Sequence, residues 1–396
     1  MSKAVESLDE FKEICENVRA KSGYKDPIAF GIARVDRGQL NRNKILQVSY
    51  GALNYNDSFL SAAAFVWALK KCDIEINFND SEFVIDLDIK VVKKVLKLFG
   101  ALVNEPKKHK NVATILAIKD AIEAGDKDSF KLVFMFEDAK PKSVEVVYLK
   151  LYLLSLGFVP LRSLVLDGAF GILENVAWGA DGKPIELEWL RENEMKLKIS
   201  GRYPNIVAVD KFPRYLSHII PADNTRILDS AKVRMGAQLA AGTTVMPGAA
   251  YINFNSGTTG SVMVEGRVSS SVSVGDGSDV GGGASILGVL SGTNGNAISV
   301  GKKCLLGANS VTGVPLGDNC IVDAGIAILE GTKVFIDEKN RAELAKINPD
   351  FKFDRDIYKA LELANLNGLH YRQNSQNGQI TASLSKRAIK LNADLH

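Results

Sequence analysis

Cysteine is scarce in this 396-residue chain: Cys15, Cys72, Cys304 and Cys320, with no CxxC pair among them. That excludes a disulfide scaffold and fits a reduced, cytoplasmic protein. Long hydrophobic runs are also missing. No stretch of eighteen or more apolar residues occurs, so no membrane span is expected. The N-terminus, MSKAVESLDEFKEICENV, reads as a capped amphipathic helix without the apolar core of a signal peptide. Excess charge of one sign is absent too. Lys and Arg number 49 against 46 Asp and Glu, a net charge of +3. Nothing there suggests a nucleic-acid surface, while small anionic ligands stay open. The lysines of KKVLKLFG and EPKKHK, from Lys93 to Lys110, read as a solvated helix face and the loop that follows it.

What is present falls into three regions: residues 1–225, 226–336 and 337–396. The first holds nearly all the aromatic residues. Helical periodicity runs through SLDEFKEICENVRA, SFLSAAAFVWALKKC and DIKVVKKVLKLFGALV. Apolar runs such as KLVFMF and NIVAV read as strands. A mixed α/β domain is expected, with no polar constellation that looks catalytic.

From Ile227 to Phe335 aromatic residues almost vanish and glycine becomes common. Aliphatic residues recur at every sixth position. The series are Ile227, Val233, Leu239, Val245; then Val262, Val268, Val274, Val280, Ile286; then Val300, Leu306, with Thr312 in the next slot; then Leu316, Val322, Ile328, Val334. Two positions earlier sits a small or modest residue, as at Ala231, Ala237, Thr243, Gly266, Ser278, Ala284, Cys304, Ser310 and Cys320. A six-residue period with one large and one small inward position describes a triangular coil of short strands, three sides to a turn. The repeat shifts register at Tyr251–Gly260 and again at Leu287–Ala297. Loops leaving a rigid solenoid commonly line a binding groove. The third region reads as helices in RAELAKI and YKALELANLNG. Two strands then flank Gln-Asn-Gly in GLHYRQNSQNGQITASL, a terminal element able to cover the coil end.

Histidine is absent from the coil segment; the four are His109, His218, His370 and His396. A zinc-dependent hydratase would need a His cluster there, and many coil acetyltransferases need a coil His as base. Cys304 and Cys320 occupy small inward positions and read as buried thiols rather than metal ligands. Two polar features stand out instead. In Glu265-Gly266-Arg267, strand alternation puts Glu265 and Arg267 together on the outer face. They read either as a surface ion pair or as a carboxylate that can act as nucleophile or base beside a guanidinium that grips a carboxylate. In Gly281-Gly282-Gly283-Ala284-Ser285, backbone N–H groups could receive an amide, thioester or oxyanion, or the glycines could simply form a tight corner.

The stretches MVEGR, DGSDVGGGASILGVLSG, ISVGKKCLLGANS and LGDNCIVDAGIAILEGTKV closely resemble the tetrahydrodipicolinate N-succinyltransferase family, a hexapeptide-repeat acyltransferase family. DKFPR, RMGAQLAAGTTVM, YRQNS and the ending LNADLH are similar as well. The resemblance covers about Asp210 to the C-terminus, and the large N-terminal region suggests the long form. It implies a left-handed parallel β-helix with an N-terminal mixed α/β domain and a small C-terminal α+β cap. The coil's hand is the family's, since the usual crossover rule would give the other. The implied reaction is succinyl transfer from succinyl-CoA to tetrahydrodipicolinate, giving N-succinyl-2-amino-6-oxopimelate and CoA in lysine and diaminopimelate synthesis.

By motif, Glu265 corresponds to the carboxylate that accepts the acyl group, with a general-base role open. Arg267 would hold a carboxylate. Gly282, Ser285, Ala308, Asp323, Ala324 and Gly331 fall in the acyl-donor segments. Arg372, Asn374 and Ser375 occupy YRQNS, which would close over the pantetheine or nucleotide end. No tightly bound cofactor is implied; succinyl-CoA is a co-substrate. A homotrimer with active sites between subunits is expected, and neither nucleic acid nor membrane as partner. One branch of the family binds Mg²⁺ through acidic residues upstream of MVEGR. Here Lys232 and Pro247-Gly248 stand in that stretch, so no metal site is expected. Two other readings compete: a coil acyl- or nucleotidyltransferase with a different donor, and a non-enzymatic coil. The long motifs weigh against the first, and the irregular outward positions against the second.

Overall fold

The computed structural model describes residues 4–289, 293 and 295–386. Residues 290–292 and 294 of the second interruption, and the LNADLH ending, lie outside the described residues. The chain divides into two compact units. One is Met1–Lys150 with Leu164–Phe212, the other Leu151–Ser163 with Pro213–His396. Among the described residues no helix is long and apolar enough to cross a membrane.

In the first unit the helical periodicities form Leu8–Arg19, Phe59–Lys70 and Ile89–Leu98. Ser7 and Asp88 start two of them by accepting from the backbone N–H groups of Glu10 and Val91, which satisfies donors that a helix start leaves free. The strands form an antiparallel sheet in the spatial order Ile45–Tyr55, Ala29–Arg37, Phe130–Met135, Glu82–Asp86. Phe11, Phe30, Phe65, Phe99 and Phe134 are buried in one core between helices and sheet. A smaller antiparallel sheet pairs Val176–Gly179 with Pro184–Glu186 and with Ile206–Asp210. Lys150 is fully buried, and its ammonium donates to Asp138 and to the carbonyls of Ala139 and Val165. All three of its protons are used, as a buried ammonium requires.

The second unit is built on the expected coil. Its first face stacks Arg226–Ile227, Thr244–Val245, Met263–Val264, Asp279–Val280, Leu305–Leu306 and Ile321–Val322 as parallel strands. Its second face stacks Tyr251–Ile252, Arg267–Val268, Ser285–Ile286, Val311–Thr312 and Ala327–Ile328. Its third stacks Gly257–Thr258, Ser273–Val274 and Ser299–Val300. Val264, Val268, Val274, Val280 and Ile286 are all fully buried.

The first register shift differs from the one expected. Val264, not Val262, aligns with Val245 and Val280. The inward series therefore runs Ile252, Thr258, Val264 and then steps only four residues to Val268. The shortened corner is Glu265-Gly266 itself. Val262 and Val264 are both buried and both aliphatic, so composition could not tell the large slot from the small one.

At the C-terminus Glu338–Ile347 is helical as expected. YKALELANLNG is not one helix: Ile357–Lys359 pairs antiparallel with Lys333–Phe335, and Ala360–Leu363 makes one 3₁₀ turn. Strand pairing overrides local helix propensity there. Leu369–Gln373 and Ile380–Leu384 form the expected hairpin. The former also adds to the coil's first face, His370 opposite Ile321. It thereby covers an edge that would otherwise stand open.

Candidate active site

The corner between the first and second faces collects most of the residues singled out in the sequence. Glu265 follows the strand Met263–Val264 and Arg267 opens the strand Arg267–Val268. The pair therefore straddles a corner rather than sharing one strand face, because the two-residue deletion bends the chain between them. No ion pair joins them among the described residues, which removes the surface-pair reading. The half-buried Glu265 carboxylate has no hydrogen-bond or ion-pair partner among those residues. The exposed Arg267 donates from Nε to Ser285 Oγ at 3.3 Å. Ser285 is its direct neighbour on the next turn of the second face.

The three glycines divide by role. Gly281 N–H donates to the Leu306 carbonyl, and a Cβ there would lie 2.5 Å from that oxygen. Gly283 has φ +72° and donates to the Glu265 carbonyl. Both are required by the coil. Gly282 is required by neither argument. A Cβ on it would meet only Glu265 Oε2, at 3.6 Å, and its N–H has no partner among the described residues. One glycine of the three thus presents a free donor beside the carboxylate.

That free donor repeats up the corner. Asn309 N–H donates to the Gly282 carbonyl and Gly325 N–H to the Ala308 carbonyl, stacking Gly282, Ala308 and Ala324 on successive turns. The N–H groups of Ala308 and Ala324 are likewise without partners among the described residues, and both residues are exposed. Three strand spacings of ~4.8 Å put Ala324 about 14 Å from Glu265 along the coil. The corner is a groove edge with one acceptor-seeking N–H per turn, suited to the amides of an extended chain.

At its far end stand Asp323, His370 and Arg372. His370 Nε2 lies 2.7 Å from Asp323 Oδ1, and Arg372 Nε lies 3.5 Å from Asp323 Oδ2 and 3.1 Å from His370 Nε2. His370 is buried and Arg372 exposed. The sequence reading placed no histidine in the coil; the C-terminal strand brings one onto its first face. Nothing in the hexapeptide pattern could have signalled it, because that strand arrives from outside the repeat.

Three residues fare differently. Gly331 lies after the second-face strand Ala327–Ile328, on a different corner from Glu265. Asn374 orders the hairpin turn, its side chain accepting from Gln376 N–H and its backbone bonding Gln379 and Gly378. Ser375 is an exposed residue of that turn. In the stretch considered for a metal, Lys232 Nζ donates to the Gly248 carbonyl at 2.6 Å. Among the described residues no three His, Cys, Asp or Glu side chains are grouped to hold an ion.

Known proteins resemble the chain throughout. Family models match residues 9–171 (tetrahydrodipicolinate N-succinyltransferase N-terminal), 173–214 (tetrahydrodipicolinate N-succinyltransferase middle) and 297–330 (hexapeptide repeat of succinyl-transferase). A 2,3,4,5-tetrahydropyridine-2,6-dicarboxylate N-succinyltransferase of Campylobacter jejuni is 61% identical, covering 99% of this chain and 100% of the relative. The protein of that name from Helicobacter pylori is 48% identical over 98% of this chain and 100% of its own length. A Campylobacter jejuni crystal structure, attributed to a 2,3,4,5-tetrahydropyridine-2-carboxylate N-succinyltransferase, superposes with a TM-score of 0.93 at 60% identity. It covers 98% of this chain and 100% of that one. The likeness therefore reaches well before Asp210, where the sequence motifs began.

Proposed function

The chain belongs to the tetrahydrodipicolinate N-succinyltransferase family and is an acyltransferase, and we propose that it transfers succinyl from succinyl-CoA to the amine of tetrahydrodipicolinate. The cyclic imine takes up one water and opens, exposing that amine and the 6-oxo group, so that succinyl-CoA, tetrahydrodipicolinate and water would give N-succinyl-2-amino-6-oxopimelate and CoA, a step of lysine and diaminopimelate synthesis. The observation that carries this reading is the unpartnered Glu265 carboxylate at a corner whose next turns offer free N–H donors. The family's hexapeptide coil implies a left hand here, and its habit of placing sites between subunits implies a homotrimer.

In this reading the pantetheine arm lies along Gly282, Ala308 and Ala324, its amide oxygens accepting from their N–H groups. Asp323, His370 and Arg372 stand at the nucleotide end, where the exposed Arg372 guanidinium suits phosphate and Asp323 and His370 fix its orientation. Arg267 holds a carboxylate of the succinyl group or of the acceptor. A Glu265 oxygen attacks the thioester carbon, the C–S bond breaks, and the thiolate leaves as CoA. The Gly282 N–H is the nearest donor for charge developing on the carbonyl oxygen. The amine of the hydrated, ring-opened acceptor then attacks the succinyl carbonyl of the anhydride, its proton passes to the departed CoA thiolate, and the Glu265 carboxylate leaves unchanged. Holding both reactants against one rigid corner supplies much of the acceleration.

The test is thiol release with succinyl-CoA or acetyl-CoA, each with and without tetrahydrodipicolinate. Release that needs both succinyl-CoA and the dicarboxylate, with a product heavier than tetrahydrodipicolinate by one succinyl group and one water, supports the proposal. Equal release with acetyl-CoA would move the chain to another acyl donor.

A further inference from the structure

The first unit contains a cavity of about 610 Å³ whose lining residues all belong to that unit, whereas Glu265 and its neighbours belong to the second. Its volume falls within the range of small-molecule sites. Five cations line it, Arg34, Arg37, Arg42, Lys183 and Arg202, against two carboxylates, Asp36 and Asp181. Most of that charge is already matched. Arg34 pairs with Asp126, Arg37 with Asp86 at 2.8 Å, and Arg42 with Asp128 at 2.8 Å. Two cations remain. Lys183 reaches Asp181 only at 3.8 Å, with both side chains largely exposed. The Arg202 side chain makes one hydrogen bond, from Nε to Ser200 Oγ, and has no carboxylate partner among the described residues.

Other lining groups are unspent in the same way. The half-buried Trp189 has no partner for its indole N–H among the described residues, and the Asn205 side-chain amide has none either. Val35, Ile185 and Leu197 supply apolar wall. A guanidinium, an indole and an amide without partners among the described residues therefore line a partly apolar space, beside an ammonium held only in a long, exposed ion pair. Few convergent polar groups in a mostly apolar hollow is the usual design of a ligand site, and a free planar guanidinium suits carboxylate or phosphate.

We propose that this cavity binds a small organic anion, a carboxylate or a phosphate ester. Arg202 and Lys183 hold the anionic group, and the ligand's planar or apolar body lies against Trp189. The Arg202 guanidinium, without a carboxylate partner among the described residues, selects the anionic group, and the aromatic wall sets the ligand's body.

The test is calorimetric titration of the full chain with benzoate, with phenyl phosphate and with inorganic phosphate. Saturable binding of benzoate or phenyl phosphate is expected at one per chain, tighter than inorganic phosphate and weakened about tenfold by Arg202→Ala. Preference for phenyl phosphate would assign a phosphorylated ligand, and preference for benzoate a carboxylate. Lys183→Ala gives an independent check should Arg202→Ala fold poorly, and it should weaken the same probe. No saturable binding of either aromatic anion, or binding unaltered in both variants, would overturn the proposal. Succinyl transfer is not the readout, so failure here would leave the assignment of the coil corner untouched.

Discussion

At the residue scale, Gly282 and Gly283 look alike in sequence and differ in consequence. A Cβ on Gly282 would stand in ordinary contact with Glu265 Oε2, and its φ is not in the left-handed region. Gly282→Ala should therefore fold normally while crowding the acyl position. An activity loss of about ten- to a hundredfold is expected at unchanged melting temperature. Gly283→Ala would force φ +72° on alanine and press its Cβ against Asn309 Oδ1. That variant should lose stability by more than ~1 kcal/mol. Asp323→Asn removes the charge facing His370 and Arg372. It should raise the KM for succinyl-CoA several-fold with little change in kcat, measured with the acceptor saturating. The Glu and the Arg were legible because those two types are rare within the coil, and the glycine run because three glycines stand together. That Gly282 alone of the three leaves its N–H without a partner among the described residues was not, because backbone hydrogen bonding has no sequence signature.

At the scale of elements, periodicity was the readable quantity. The six-residue repeat located the coil, and the Gln-Asn-Gly signal located the C-terminal hairpin. The four-residue step at Glu265-Gly266 escaped notice because Val262 and Val264 satisfy either slot. The helical reading of YKALELANLNG failed because Tyr358 is instead held in a strand opposite Val334. A buried histidine gives this second unit an acid sensitivity. His218 shares a 2.9 Å hydrogen bond with Tyr152, and burial pushes its pKa down to about 4. The folded form thus prefers neutral His218, while the unfolded chain protonates it below its ordinary value near 6.5. The stabilisation is intact above about pH 6.5 and is lost as pH falls toward 4, by about 3 kcal/mol in total. Urea unfolding of the full chain at pH 7 and pH 5 should show a larger acid loss than His218→Gln does. Equal losses would contradict this.

At the scale of the whole molecule, the two compact units are packed in different ways. The aromatic core of the first unit, with Phe30, Phe65, Phe99 and Phe134 in contact, gave no hint of its antiparallel strand order, which depends on long-range pairing. The coil's order follows from its repeat alone. The Asp323–His370–Arg372 cluster lay between these extremes. Asp323 and Arg372 were found by motif, but His370 joined them only through pairing across 49 residues of chain separating Ile321 from His370.

The central claim, that the unpartnered carboxylate of Glu265 does the chemistry, is tested most directly by CoA release from succinyl-CoA and tetrahydrodipicolinate, comparing wild type with Glu265→Ala. The wild type should turn over. The variant, with its association state unchanged, should lose activity by about a hundredfold or more. Undiminished release by Glu265→Ala would contradict the claim and make Glu265 a bystander on the corner it occupies.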